Sequence, residues 1–327
     1  MIERRRLLVG AGAILIAAPP GTSAQPSAKL TRIGLLGPGS AAGSASQVEA
    51  LRSGLRDLGY VEGKSFALEA RWGEGNHRQL ADLADELVQA NLDVLVTQGT
   101  AATRAAKRAT TEIPIVMTAA VDAVAARLVS SMARPGGNIT GTTIFSLETS
   151  AHRLETLREA TPRITQVGVL VNPESPEAEI VRQSSELAAQ SLKLGVQGFD
   201  ARRPDRLEAI FAVMARRNVD ALVVQPDPMF DANAAEIARL AIRQRFASVG
   251  DREFVVAGGL VGYELDVADV WRRAAYFVDR ILKGTRPADL PVERVRKFAV
   301  ILNLRTARAL KLTIPPAAVS RADEVIR

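Results

Sequence analysis

The polar residues best placed to do chemistry follow short apolar runs. Gln98-Gly99-Thr100-Ala101 comes directly after the run Asp93 to Thr97, and Thr100 is a good N-cap for a helix opening at Ala101. Such a helix start carries unpaired N–H groups and a partial positive charge, which suits a small-molecule carboxylate. Ala119-Ala120-Val121-Asp122 ends a second run, where small side chains permit close backbone approach. Asp122 could take an ammonium group or cap the helix after it. Ser40, Ser44 and Ser46 follow the first run and offer hydroxyls. In the second half, Asn172 and Asp227 stand at equivalent positions, within the turn-forming Asn172-Pro173 and Pro226-Asp227-Pro228. Tyr263 ends a late run and could stack on a ligand while bonding through its hydroxyl; Phe145 and Phe230 are further aromatic candidates.

Catalysis has no evident carrier. The chain contains no G-x-S-x-G elbow, no H-E-x-x-H helix and no P-loop. His77 and His152 are the only histidines, and their spacing is not that of metal ligands. There is no cysteine, which excludes thiol nucleophiles, thiolate metal sites and disulfides. Gly37-Pro38-Gly39 invites a dinucleotide reading, but Pro38 disturbs the tight turn and Arg71, not an acid, ends the second run. No metal and no cofactor are expected.

Alternating strands and helices position these residues. Ile33 to Leu36 reads as a buried strand, and Val48, Leu51, Leu55 and Leu58 follow at helical spacing with Gly59 as a stop. Phe66 to Arg71, Asp93 to Thr97, Ile113 to Thr118 and Gly141 to Phe145 are further strands, and helices run through Leu80 to Val88 and Ala101 to Ala109. Strands apolar on both faces, alternating with helices, predict an α/β protein with parallel sheets flanked by helices. The pattern then repeats. Arg32-Ile33-Gly34-Leu35-Leu36 is mirrored by Gln166-Val167-Gly168-Val169-Leu170, and Asn91 to Gln98 is mirrored by Asn218 to Gln225. Two mirrored pairs in one order predict two Rossmann-like lobes of one design. Leu260 to Tyr263 adds a late strand. No linker is long, so a hinge of short crossing segments is expected.

The N-terminus reads as an export signal. Arg4-Arg5-Arg6 precedes the 12-residue apolar run Leu7 to Ala18, and Thr22-Ser23-Ala24 predicts cleavage before Gln25. The run is too short to span about 30 Å of hydrocarbon. Arg4-Arg5-x-Leu7-Leu8 also fits a twin-arginine signal loosely. With no cysteine to carry lipid, a free periplasmic protein is expected. Loss of residues 1–24 removes three Arg and one Glu, leaving 39 basic and 35 acidic residues, a net +4. The excess is spread along the chain, so no nucleic-acid footprint is read from it.

The last fifth of the chain carries a family likeness. It includes Asp251 to Tyr263 (DREFVVAGGLVGY), Arg280 to Gly284 (RILKG), Pro287 to Glu293 (PADLPVE), Ile301 to Leu304 (ILNL), Ile314-Pro315-Pro316 and Arg321 to Ile326 (RADEVI). Upstream, Leu58 to Gly63 (LGYVEG), Ile113 to Val116 (IPIV) and Arg134 to Gly141 (RPGGNITG) agree with it. Together they resemble the ABC-transporter substrate-binding proteins related to the tryptophan-binding component of importers. Members usually carry Asp-Pro-Val where Ala123 here follows Asp122. The resemblance implies a type I periplasmic-binding-protein fold with three crossing segments, lobe I as 30–143 plus 264–295 and lobe II as 144–263 plus 296–327. It also implies a non-enzymatic monomer that binds a small organic solute such as an amino acid and works with an ABC permease. A periplasmic ligand sensor partnering a membrane receptor is the alternative. Transcriptional repressors of the same fold need a DNA-binding helix pair where this chain has its export signal.

Overall fold

The computed structural model describes residues 30–327; the expected export signal, residues 1–24, lies outside them. The chain opens with β1 (Thr31–Gly37), α1 (Ala45–Asp57), β2 (Phe66–Trp72), α2 (Leu80–Gln89), β3 (Val94–Gln98) and α3 (Gly99–Ala109). Next come β4 (Ile115–Val121), β5 (Ile139–Ile144), α4 (Ser146–Ala160), β6 (Gln166–Val171), α5 (Ala178–Ser191) and β7 (Gly195–Asp200). Then follow α6 (Leu207–Arg216), β8 (Ala221–Val224), α7 (Pro228–Ala232), α8 (Ala234–Gln244), β9 (Ala247–Gly250) and α9 (Arg252–Val256). The remainder is β10 (Val261–Leu265), α10 (Val267–Leu282), β11 (Glu293–Arg294), β12 (Phe298–Asn303), α11 (Leu304–Ala309), α12 (Pro316–Arg321) and β13 (Glu324–Ile326).

Two sheets result. The first has the order β11-β5-β4-β3-β1-β2 and is wholly parallel. The second has the order β13-β12-β10-β9-β8-β6-β7, parallel except for β10 against β12. Both are buried on both faces: Ile33, Val94 and Val96 pack under α1 and α10, while Leu36 and Leu95 pack under α2 and α3. Gly54 lets α1 lie close on α10, since a Cβ there would stand 2.8 Å from that of Ala275. The chain leaves the first sheet at Phe145, returns to it through Asp266, and leaves again over residues 295–297.

The mirrored segments occupy mirrored places. Gly34 of β1 is opposite Leu95 of β3, and Gly168 of β6 is opposite Leu222 of β8. Asp93 accepts the N–H of Arg32 at 2.8 Å, and Asp220 accepts that of Gln166 at 3.0 Å. Asn91 and Asn218 both take a left-handed backbone, with φ of 54° and 57°, to turn the chain into these strands. One design is therefore used twice.

Two boundaries differ from expectation. α3 starts at Gly99 with Gln98 as N-cap, so Thr100 lies inside the first turn and is not its cap. The late strand runs to Leu265, placing Tyr263 in its middle, opposite Val300.

Near the hinge, β4 carries an irregularity between Met117 and Ala120 that its neighbour must fit. Gly141 does so with φ of +124°, and a Cβ there would stand 2.1 Å from the Met117 carbonyl oxygen. Gly141→Ala is expected to cost roughly 2–4 kcal/mol of stability through strain and overlap. Urea unfolding measures it, and an unchanged midpoint would contradict the close approach.

Candidate functional site

The strand ends of both sheets meet around one buried carboxylate. Asp227 follows β8 and caps α7 by accepting the Met229 N–H at 2.9 Å. The Asn172 amide, at the end of β6, donates to both Asp227 oxygens at 3.2 Å, held in place because its own oxygen accepts the Glu174 N–H. The third partner comes from the other sheet. His77, between β2 and α2, places Nε2 3.3 Å from Asp227 Oδ2. A carboxylate only accepts, so Nε2 carries the proton in this bond. Arg78 reaches Glu174 at 3.1 Å beside it, on the surface. Asp227 and Asn172 are thus brought together as a bridge between the two halves.

The expected groups on the first sheet are engaged with one another. The buried Thr100 hydroxyl accepts the Val121 N–H at 2.9 Å and is not a free receptor for a ligand. The Ala120 carbonyl accepts from the Thr143 hydroxyl at 2.7 Å, and its methyl lies in the core. Asp122, with φ of 42°, accepts the Ser146 N–H at 3.0 Å. It therefore serves α4 across the first crossing instead of the residues just after it. Burial raises its carboxyl above the usual range, and the bond from Ser146 opposes that. Ser40 stays in the loop after β1, accepting the Gly43 N–H at 3.1 Å. Gly99 opens α3 with φ of +71° and its carbonyl accepts from Thr103 at 2.6 Å.

What the strand ends leave unsatisfied is more telling. Among the described residues, four buried side-chain atoms lack any hydrogen-bond partner: His77 Nδ1, Gln98 Oε1, Gln225 Oε1 and Arg153 Nε. Gln98 and Gln225 close the two mirrored segments, at the ends of β3 and immediately after β8, beside the points where each strand order reverses. The Gln98 amide lies over Gly37, where a Cβ would meet its oxygen at 2.9 Å and the Trp72 ring at 2.2 Å. Its nitrogen donates to Gln47 at 3.3 Å, leaving the oxygen alone. An enclosed polar atom without a partner costs about 1–3 kcal/mol, so four in one molecule need an explanation. The repeat that ended in both glutamines was visible in the sequence, but their unpaired oxygens were not.

Charge gathers at the same strand ends of the second sheet. Arg153 on α4 has no ion pair among the described residues; burial pushes its guanidinium down, and Asp251 and the Tyr263 hydroxyl are the nearest opposing groups. Asp251 follows β9 and caps α9. Burial and then the adjacent Asp251 carboxylate raise Asp231 well above the usual carboxylate range, although its outer edge meets water.

The aromatic candidates lie elsewhere. Phe230 is a core residue packed among Leu170, Phe211 and Val224, and cannot stack on a ligand. Tyr263 and Phe145 line a cavity at the hinge, away from Asn172 and Asp227. Trp72, at the end of β2, is the aromatic residue at the strand ends that the sequence reading passed over. No cluster of three or more possible metal ligands occurs among the described residues, and none of their helices is long and apolar enough to span a membrane.

Two doubly wound sheets, crossed three times by the chain and facing each other at unsatisfied strand ends, define the type I periplasmic-binding-protein fold and a two-lobed solute binder. Residues 33–326 match the ABC transporter substrate binding protein family, and the chain belongs to that family. It is a binding protein and not an enzyme. A tyrosine-binding protein of Clostridioides difficile is 25% identical over 261 residues, covering 79% of this chain and 74% of that one. A conserved domain protein of Vibrio cholerae superimposes with a TM-score of 0.85 at 26% identity, over 91% of this chain and all of that one. The ABC domain of Streptococcus pneumoniae in complex with L-Trp does so at 0.84 and 24%, with the same coverage.

The interlobe bridge titrates. The bond to Asp227 raises the His77 imidazole above its ordinary 6.5, against burial, with Glu177 and Glu174 adding to the rise. Parting the lobes returns His77 to its ordinary value. The protonated bridge therefore favours the closed form fully below about pH 6.5, and that preference is lost as pH rises through the raised value. Ligand-free protein should be more compact at pH 5.5 than at 8.5 by small-angle scattering, and His77→Gln should flatten the trend. A wild-type radius of gyration that ignores pH would refute the bridge.

Proposed function

We propose that this protein is the periplasmic receptor of an ABC importer, closing on an amino acid or similar small organic solute and presenting it to the permease. The observation that carries the reading is the set of enclosed, unpaired atoms. Gln98 and Gln225 offer acceptors, and Arg153 offers a donor that makes no ion pair among the described residues. A zwitterion supplies what they lack. Its carboxylate answers the Arg153 guanidinium through a charge-assisted bond, while its ammonium answers the amide oxygens and the acidic group of Asp227, Asp231 and Asp251. Binding of tyrosine by the clostridial relative and of L-Trp by the pneumococcal domain supports this ligand class.

The rigid bodies of this motion are residues 30–143 with 264–295, and 144–263 with 296–327, turning about the three crossings. Ser40, Gly99, Asn172 and Asp227 stand on the cleft walls. Thr100, Ala120, Val121 and Asp122 frame the first wall from behind. Residues 1–24 are removed on export, and the mature chain acts as a monomer without a cofactor.

Titration calorimetry against the twenty amino acids tests the reading. At least one should bind with unit stoichiometry and be recovered unchanged. Arg153→Met and Gln98→Leu should each weaken it by roughly 10- to 100-fold, the worth of one buried charge-assisted or amide bond. Chemical conversion of the bound solute, or affinity unmoved in both variants, would defeat it.

A further inference from the structure

We propose that the hinge holds a second small-molecule site, suited to a compact aromatic carboxylate. A cavity of about 460 Å³ opens there, walled by Phe145, Glu148, His152, Tyr263, Arg296 and Phe298. That is room for a molecule of amino-acid size, since ligand pockets run from roughly 300 to 1,000 Å³. None of Gln98, Gln225, Asn172 or Asp227 lines it.

Its chemistry is specific. The Tyr263 and Phe298 rings stack with centroids 4.9 Å apart and 12° between planes, and His152 lies 5.9 Å from Tyr263. Tyr263 is buried, so the half-exposed Phe298 ring and the exposed His152 ring are the faces offered to a flat ring. Of the two cations at its edge, Arg294 is already engaged, paired with Glu148 and set 5.2 Å over the Phe145 ring. Arg296 is exposed and makes no hydrogen bond or ion pair among the described residues. A free guanidinium beside an aromatic wall takes a planar carboxylate bidentately.

The walls also belong to both halves of the molecule. Phe145 and Arg296 lie on crossing segments, Glu148 and His152 on α4, and the Arg294–Glu148 pair joins β11 to α4 across the hinge. A molecule held here touches the segments that turn when the lobes move, and it favours whichever hinge angle fits it better.

Benzoate is the probe, with benzamide as its neutral isostere, titrated into the full chain by calorimetry and saturation-transfer NMR. Benzoate should bind one site at least tenfold more tightly than benzamide. Arg296→Gln and His152→Ala should each weaken it tenfold or more with an unchanged thermal midpoint, since both side chains are exposed. Gln98→Leu, a cleft change, should retain benzoate binding at one site. Absence of benzoate binding, equal binding of benzamide, or loss of binding in Gln98→Leu with Arg296→Gln unaffected would each overturn the site.

Discussion

A parallel sheet covered on both faces has only its strand ends left for chemistry. Every other part of β1, β3, β6 and β8 is closed off by helices, with Leu35, Val96, Val169 and Val223 packed under them. Polar side chains on these strands are confined to the two ends, and in both sheets the last mirrored residue, at the carboxyl end, is a glutamine whose amide oxygen is enclosed without a donor. The two halves must face each other there for a solute to be gripped from both sides. The hinge, the bridge and the placement of the charges all answer to that one restriction.

Closure balances opposed effects of similar size. The His77–Asp227 bridge favours the closed form, while the surface pair Arg78–Glu174 is screened by water and adds about 0–1 kcal/mol. Against them stand the four unpaired atoms, each unfavourable by about 1–3 kcal/mol while enclosed. Opening lets water satisfy those on the facing surfaces. A solute that satisfies them instead tips the balance towards closure, and its differential affinity for the closed form sets how far. The carboxylates near Asp251 act in the same sense, because an entering cation opposes the burial and the Asp251 repulsion that raise the Asp231 carboxyl.

Periodicity made the fold legible because a buried strand and a one-sided helix write different repeats into their residues. The duplication was legible too, since Asp93 and Asp220 do the same backbone job and must keep the same spacing from their strands. Hydrogen-bond partners were less accessible. Thr100 looked like a cap with a free helix start behind it, but the backbone of β4 runs alongside and Val121 claims its hydroxyl. Tyr263 looked terminal because its run is short, yet pairing with β12 extends the strand past it. His77 seemed idle because its partner lies 150 residues away, in the other half. Pairings at that distance are set by how two sheets dock, which no local pattern encodes.

The duplicated halves diverge at one informative position. Two residues beyond Gln98 stands Thr100, and two beyond Gln225 stands Asp227. Thr100 turns inward, its hydroxyl tying the start of α3 to β4 within its own sheet. Asp227 turns the other way, capping α7 and also reaching His77 in the opposite half. A hydroxyl suffices for a contact that is permanent and neutral. A contact that must form and break with closure gains from a charge, because a carboxylate is well solvated when the lobes part and binds an imidazolium when they meet. Thr100 therefore holds α3 to β4 within its own half, and Asp227 is the residue whose contact spans the two halves.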